Sequence, residues 1–298
     1  MPVPPYGWIS SSFKDGNVVP FLGAGASVIG LVHGVAWTYP GESRLPTGDE
    51  LRVDLTRLTS LPIDETNGAD LAAVAQYCST LVGRPDLLRR LHTIFSRAHA
   101  FGEIHRFLAN YPAHLLVVTT NYDDLLERAF REAGKTFDLV VHQTHDLAHQ
   151  GQVAHWPEGA SRPEYVKPNK LDIDLTSRSV IYKMHGTVMR ADAAYDSYVI
   201  TEDDYVDFLI RIGSNTPIPA AIKEKFGSSH FLFLGYGLGD WNFRVVVGGL
   251  RQELRRRTSW AIKFRTTGLE EEIWKSRNVQ IFDMTVDDFV TGLKNAPP

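Results

Sequence analysis

The sequence predicts an α/β fold in which a doubly wound parallel sheet carries helices on its faces. Short apolar runs alternate with stretches of helical spacing, as they do in such sheets. Each run is apolar throughout rather than at every second residue, which is typical of strands that are buried on both faces. Four runs also end in glycine or in polar side chains: residues 17–22, 114–119, 179–184 and 231–234. We expect the loops after these four runs to meet at one edge of the sheet, where ligands bind in doubly wound folds.

The first half of the chain is predicted to be one strand followed by several helices. The strand covers residues 17–22, although Pro20 within it cannot donate a backbone hydrogen bond. Apolar residues then recur at helical spacing from about residue 47 to residue 111, with breaks at 61–62, 67–68 and 83–85. We interpret residues 47–111 as a helical insertion or subdomain within a single domain over residues 1–298.

The second half returns to alternating strands and helices. A strand at 114–119, a helix from Asp124 and a strand at 137–141 come first. Residues 142–179 are too long and polar for an ordinary loop, so we interpret them as an excursion that contains some structure. Thr201 is predicted to cap a helix that begins with acidic residues. The remaining predicted elements are strands at 179–184, 231–234, 260–264 and 279–282, half of a hairpin at 198–200, and a short last helix at 286–293.

Composition excludes several classes of protein. The chain has 298 residues, of which 43% are hydrophobic and 22% charged, as is usual for soluble globular proteins. A net charge of −4 gives no general attraction to nucleic acid, so no direct nucleic-acid binding is expected. Neither a secretory signal nor a membrane-length apolar run is present, and we expect a cytoplasmic protein with no membrane association. The single cysteine, Cys78, excludes a four-cysteine zinc site, and the histidines lack metal-ligand spacing, so no metal is expected.

Glycine-rich segments follow two of the predicted strands. Residues 23–27 form a turn in which Gly23 and Gly25 would expose backbone N–H groups to a phosphate. Because Val28 stands where a dinucleotide fingerprint has its third glycine, a tight structural turn explains this segment equally well. Residues 235–240 are either a second phosphate-binding loop or a loop that needs positive φ angles. Two such exits in one Rossmann-like sheet favour a dinucleotide ligand.

Polar side chains follow the other two strands. Asn121 and Asp123 offer an amide and a carboxylate where the strand at 114–119 ends, and the alternative is that one of them caps the next helix. His185 follows the strand at 179–184. A lone histidine is more often structural, but its place at a strand's carboxyl end, with Gly186 leaving space beside it, favours a functional role.

The four motifs, taken in order, resemble those of the sirtuin family. They are Gly23-Ala-Gly-Ala-Ser27, Thr120-Asn-Tyr-Asp123, Lys183-Met-His185-Gly186 and the late glycine-rich exit, and the resemblance covers roughly residues 18–293. It is strongest to the prokaryotic sirtuin-like domains of anti-phage defence systems. The resemblance implies that Asn121 lies beside the reactive ribose carbon of NAD, that His185 is the catalytic histidine, and that Asp123 lies near the nicotinamide amide. It implies further NAD contacts from Gly23, Ala24, Gly25, Ser27, Thr120, Gly235, Tyr236, Gly237 and Leu238.

Three departures from protein-deacylating sirtuins direct the functional prediction. The zinc module with two cysteine pairs is missing, the Pro-Asp-Phe-Arg segment is replaced by residues 45–51, and the stretch from Asn121 to His185 is longer. Each departure argues against acyl-peptide binding. The resemblance therefore implies an NAD+ hydrolase that releases nicotinamide and ADP-ribose. The alternatives are an NAD-dependent protein deacylase or ADP-ribosyltransferase, and a non-catalytic module that binds NAD or ADP-ribose and regulates a partner.

The resemblance also bears on assembly. Defence-type sirtuin-like proteins commonly form homo-oligomers and work beside a second protein, such as a HerA-type DNA-translocating ATPase or an Argonaute. An unrestrained NAD+ hydrolase would drain its own cell, so we expect the activity to be gated. The predicted gate is self-assembly, a partner protein or the excursion at residues 142–179.

Overall fold

A computed structural model gives the fold of this chain. It describes residues 3–28, 37–40, 44–62, 66, 68–143, 149, 151–214, 218–236 and 257–296. The strands within these ranges are β1 Val18–Leu22, β2 Leu116–Thr119, β3 Phe137–His142, β4 Val153–Trp156, β5 Glu164–Val166, β6 Ser179–Lys183, β7 Gly186–Thr187, β8 Ser197–Tyr198, β9 His230–Leu234, β10 Ser259–Lys263 and β11 Val279–Asp283.

The described strands form one sheet of nine in the order β11-β10-β9-β1-β2-β6-β3-β4-β5, and β7 and β8 form a separate small hairpin. All pairings from β11 to β3 are parallel, and at one edge the pairings of β4 with β3 and with β5 are antiparallel. The predicted α/β class with a mostly parallel sheet is therefore confirmed.

The strand order brings the four predicted site loops together. β1 lies in the middle of the sheet, with β2 and then β6 on one side and β9 on the other. The registers align the strand ends, because Leu22 lies opposite both Thr119 and Leu234, and Thr119 lies opposite Lys183. The chain reverses its winding direction at β1, where ligands bind in doubly wound sheets.

Helices surround this sheet on both faces. Their bounds are α1 Tyr6–Lys14, α2 Gly48–Leu58, α3 Leu71–Leu81, α4 Arg84–Phe95, α5 Glu103–Ala109, α6 Leu125–Glu132, α7 Glu202–Ser214, α8 Ala220–Ser228, α9 Gly268–Lys275 and α10 Val286–Lys294. The parallel strands supply both cores: in β1, Val18 and Leu22 join one apolar cluster, and Val19 and Phe21 join the other. Burial on both faces explains why these strands read as continuous apolar runs.

Several elements were not predicted from the sequence. They are α1, α8, α9, β4 and β5. In α9 the apolar side chains of Leu269 and Ile273 are exposed, and Trp274 is buried. β4 and β5 lie within the predicted excursion and extend the sheet beyond β3. The predicted division into an insertion at 47–111 and an excursion at 142–179 stays a prediction.

Two other features bear on the sequence predictions. Pro20 is accommodated inside β1, which begins to pair with β2 only at Phe21. Within the described ranges, no helix is long and apolar enough to cross a membrane. Residues 237–256, which include Gly237 and Leu238 of the late glycine-rich exit, lie outside the described residues.

Candidate active site

The glycine-rich exits of β1 and β9 interlock. Gly23 donates its backbone N–H to the Leu234 carbonyl at 2.9 Å, and Gly25 donates to the Gly235 carbonyl at 2.8 Å. Gly235 has a φ of +71°, and a Cβ atom there would lie 2.3 Å from the Ala26 nitrogen. Side chains are excluded where the two loops cross, so both motifs need glycine for loop-to-loop contact as well as for any close approach by a ligand.

Most backbone donors of the first glycine-rich turn are used within the protein. The N–H groups of Ala26 and Ser27 donate to the carbonyls of Gly23 and Ala24 at 2.9 and 3.0 Å, closing a single 3-10 turn. Ala24 is exposed, and its N–H makes no hydrogen bond to the described part of the chain. In this conformation, Ala24 is the residue of the turn that presents a free backbone donor to an anion.

Asn121 is bonded directly to this turn. Its Nδ2 group donates to the Gly23 carbonyl at 2.9 Å and to Ser27 Oγ at 2.8 Å. Its backbone N–H donates to Thr119 Oγ1 at 3.0 Å, and that hydroxyl donates to the Leu22 carbonyl at 2.9 Å. Both amide protons are thus committed, which fixes the orientation of the carboxamide. Over the residues that the structure describes, Oδ1 of Asn121 accepts no hydrogen bond, so it remains an available acceptor.

Tyr236 joins the two sides of the site. Its ring packs on Gly23, where an added Cβ would lie 2.8 Å from the tyrosine Cδ1 atom. Its hydroxyl accepts a hydrogen bond from Thr120 Oγ1 at 3.3 Å. Thr120, Tyr236 and the glycine-rich turn therefore form one contiguous surface beside Asn121.

Asp123 has a structural contact at the start of α6. Its Oδ1 atom accepts the backbone N–H of Leu125 at 3.1 Å, and the side chain is buried. This contact is of the capping type considered from the sequence. The neighbouring Asp124 bonds Arg190 at 2.7 Å. Burial and the nearby Glu127 carboxylate raise the pKa of Asp124 to about 6, against the opposing effect of Arg190.

His185 is completely enclosed. Its ring makes edge contacts with Tyr205 and Phe208 of α7, at centroid distances of 5.5 and 5.4 Å. Neither ring nitrogen has a hydrogen-bond partner in the described part of the chain, which is uncommon for a buried polar group. Burial, together with the neighbouring His142, lowers the pKa of His185 to about 3, so its imidazole is neutral at physiological pH.

Gly186 serves the hairpin rather than leaving space beside His185. Its φ is +96°, and a Cβ atom there would lie 1.9 Å from the Ser197 carbonyl oxygen. The close approach of β7 to β8 therefore requires glycine at this position.

Two buried charged residues that had no assigned role also adjoin the site. Lys183 ends β6 with no exposed surface, and Glu127 lies on α6 with 3% of its side chain exposed. In the sequence, Lys183 belongs to the motif that contains His185. A lysine in a strand that is otherwise buried is rare, and this was the signal available in the sequence.

No metal centre is evident in the regions that the structure describes, which contain no group of three or more histidine, cysteine or acidic side chains placed to hold an ion. The candidate site offers the oriented carboxamide of Asn121, the hydroxyls of Thr120 and Tyr236, and the exposed N–H of Ala24, whereas the neutral imidazole of His185 is enclosed. Such a set can bind and position a neutral or anionic group.

Comparison with known proteins identifies the family. A family model described as a SIR2-like domain matches residues 115–282. The chain is 28% identical over 241 residues to the NAD(+) hydrolase ThsA of Cytobacillus dafuensis, covering 80% of this chain and 39% of that protein. It is 29% identical over 249 residues to the NAD(+) hydrolase ThsA of Enterococcus faecium, covering 83% and 42%. It is 26% identical over 246 residues to the defense-associated sirtuin 2 of Bacillus subtilis, covering 82% and 20%.

These relatives are much longer proteins, and the chain spans about two fifths of the ThsA sequences and a fifth of the sirtuin. The matched family segment nevertheless covers more than half of the chain and includes β2, β6 and β9. The predicted resemblance to sirtuins is therefore confirmed, and this chain belongs to the family of SIR2-like domains.

Proposed function

We propose that this chain binds NAD+ and hydrolyses it to nicotinamide and ADP-ribose. The observation that carries the proposal is the carboxamide of Asn121, which is held by Gly23 and Ser27 with its oxygen left as an acceptor. The site lies at the reversal point of the sheet, where dinucleotides bind in doubly wound folds. The names of the ThsA relatives, which are called NAD(+) hydrolases, point in the same direction.

The reaction suits a site that contains few charged groups. Nicotinamide leaves a cationic ring as a neutral base, so the leaving group needs no proton and the usual carboxylate pair of sugar hydrolases is unnecessary. Asn121 Oδ1 accepts a hydrogen bond from a water molecule and directs its oxygen at the ribose carbon. The rate enhancement comes mainly from positioning and from exclusion of bulk water.

His185 is proposed to act on the ribose. A neutral imidazole can accept a proton from a ribose hydroxyl or hold that hydroxyl in place. Because Tyr205 and Phe208 enclose His185, this role requires α7 to shift away from the ring. In the proposal, Asp123 lies near the nicotinamide amide and retains its bond to Leu125.

The glycine-rich loops are proposed to hold the rest of NAD+. Gly23, Ala24, Gly25 and Ser27 contact the diphosphate, with the exposed Ala24 N–H as a direct donor. Thr120, Gly235 and Tyr236 complete the binding surface, together with Gly237 and Leu238 from outside the described residues. No metal takes part in the proposed reaction.

The proposed activity is conditional. We expect the chain to form a homo-oligomer and to act with a partner protein such as a HerA-type DNA-translocating ATPase or an Argonaute, as the family resemblance implies. Enclosure of His185 by α7 is consistent with a resting state of low activity.

The test is direct measurement of products. Purified chain is incubated with NAD+, and nicotinamide and ADP-ribose are measured by chromatography. Asn121→Ala should abolish nicotinamide release in a folded protein. Asn110→Ala is the matched control, because Asn110 is exposed and its side chain only bonds the Arg106 carbonyl at 2.8 Å. Full turnover in Asn121→Ala would contradict the assignment.

The same experiment separates the alternatives. An acetylated peptide added to the reaction would be deacetylated by a protein deacylase and left intact by a hydrolase. Incorporation of ADP-ribose into protein would indicate a transferase. Bound NAD+ without any product would indicate the non-catalytic module.

A further inference from the structure

The ammonium group of Lys183 lies between the two segments that carry the proposed catalytic residues. Lys183 is the last residue of β6, two positions before His185. Its register partner on β2 is Thr119, two positions before Asn121. The side chain has no exposed surface. A lysine is almost never fully buried unless it is paired, so its contacts explain its presence.

All three donors of this ammonium group are used. Nζ donates to the Tyr122 carbonyl at 3.2 Å, to the Asp123 carbonyl, and to Glu127 Oε1 at 2.9 Å. The two carbonyls belong to the residues that immediately follow Asn121. Lys183 therefore ties the backbone just after Asn121 to the strand that leads to His185.

Stability alone does not account for this arrangement. A buried ion pair costs desolvation, and an apolar pair of similar volume is often as stable or more stable. Glu127 also leaves its Oε2 atom without a hydrogen-bond partner in the described regions of the chain. What an apolar replacement could not supply is the pair of hydrogen bonds to the Tyr122 and Asp123 carbonyls.

We propose that Lys183 is a positioning residue for Asn121, with Glu127 as its counter-ion. The inference rests on the proposed hydrolysis of NAD+ for its catalytic consequence. Lys183 does not touch the substrate. It fixes the backbone of residues 121–123 and thereby keeps the Asn121 carboxamide in its orientation. The glycine-rich loops bind NAD+ independently of this contact. Loss of the ammonium group should therefore lower kcat and leave KM nearly unchanged.

The central variant is the double substitution Lys183→Met with Glu127→Leu. It removes both buried charges together, so neither is left uncompensated. The loss of stability should be limited to that of the unpartnered Asp123 carbonyl, because the Tyr122 carbonyl still accepts the Val188 N–H at 2.8 Å. We expect kcat to fall roughly 10- to 100-fold, as for other small displacements of a catalytic group. KM should change by less than about threefold, because uniform binding is retained.

Two further variants separate positioning from simple stabilisation. Glu127→Gln keeps an oxygen acceptor for Lys183 and both carbonyl contacts, so kcat should stay within about threefold of the wild type even if stability falls. The control pair is Lys294→Met with Glu103→Leu, which removes an ion pair of 2.8 Å whose two side chains are both exposed. The control should change neither kcat nor KM.

Hydrogen exchange of the backbone amides of residues 120–124 provides a readout that does not need activity. Exchange should be faster in the Lys183→Met, Glu127→Leu protein than in the wild type and the control pair. If that variant does not fold, Lys183→Gln with Glu127→Gln replaces it. Wild-type kcat in the folded double variant would overturn the inference, and so would unchanged exchange. If the isolated wild type has no measurable activity, kcat cannot be compared between variants, and the exchange rates of residues 120–124 then decide the inference by themselves.

Discussion

Replacing Gly235 with alanine should disrupt the contact between the two glycine-rich loops. Gly235 has a φ of +71°, and its carbonyl accepts the Gly25 N–H at 2.8 Å. A Cβ atom at this position would lie 2.3 Å from the Ala26 nitrogen and 2.6 Å from the Gly25 carbonyl carbon. These are backbone atoms, so the overlap can be relieved only by moving one loop away from the other.

The expected loss of stability has three parts. Alanine in the left-handed region costs about 1–2 kcal/mol. The hydrogen bond from Gly25 contributes about 0.5–1.5 kcal/mol and would be broken or stretched. Forcing an extra methyl group into a filled space costs about 1–3 kcal/mol. Gly235→Ala should therefore lower the free energy of unfolding by about 2.5–6.5 kcal/mol, and NAD+ binding should weaken with it.

Gly134→Ala is the matched control. Gly134 follows α6 with a similar φ of +67°, but nothing lies within 4 Å of an added Cβ atom. Gly134→Ala should lower the free energy of unfolding only by the cost of placing alanine at a positive φ, which is about 1–2 kcal/mol. Urea denaturation of the two variants and the wild type gives the comparison. Equal losses in both variants would refute the close crossing of the loops from β1 and β9.

The remaining predictions concern His185, metal content and assembly. His185→Ala should reduce NAD+ turnover strongly while calorimetry still detects NAD+ binding; a wild-type rate would make His185 a structural residue. Burial lowers the pKa of His185 from 6.5 to about 3, so between these pH values the unfolded chain binds a proton that the folded chain does not. The free energy of unfolding is therefore unaffected by His185 above pH 6.5 and falls as the pH decreases toward 3. Between pH 7 and pH 5, the free energy of unfolding of the wild type should fall by about 2 kcal/mol more than that of His185→Leu, as measured by denaturation. Elemental analysis should find no stoichiometric zinc, and a chelator should not unfold the protein. Light scattering should show a homo-oligomer with low or conditional activity; a monomer with full constitutive NAD+ hydrolysis would contradict this expectation.

The sequence by itself determined the fold class and the place of the candidate site. Strands buried on both faces must be apolar throughout, so β1, β2, β6 and β9 were visible as uninterrupted runs. Parallel strands bring their carboxyl ends to one edge, so the exits after these runs had to lie near one another. The contact of Asn121 with Gly23 and Ser27 follows from that rule, because β1 and β2 are neighbours.

Only the tertiary structure decided the surroundings of each side chain. Enclosure of His185 depends on α7, which follows it in sequence and packs Tyr205 and Phe208 against its ring. Glycine is needed at positions 186 and 235 because backbone atoms of Ser197 and Ala26 lie close to them. No local sequence pattern indicates these contacts. The pairing of Lys183 with Glu127 joins residues 56 positions apart. Local periodicity indicates which face of an element is buried. The residues that pack against that face come from distant segments and are determined by the tertiary structure. These neighbours determine the hydrogen bonds, the burial and the pKa values of the candidate site.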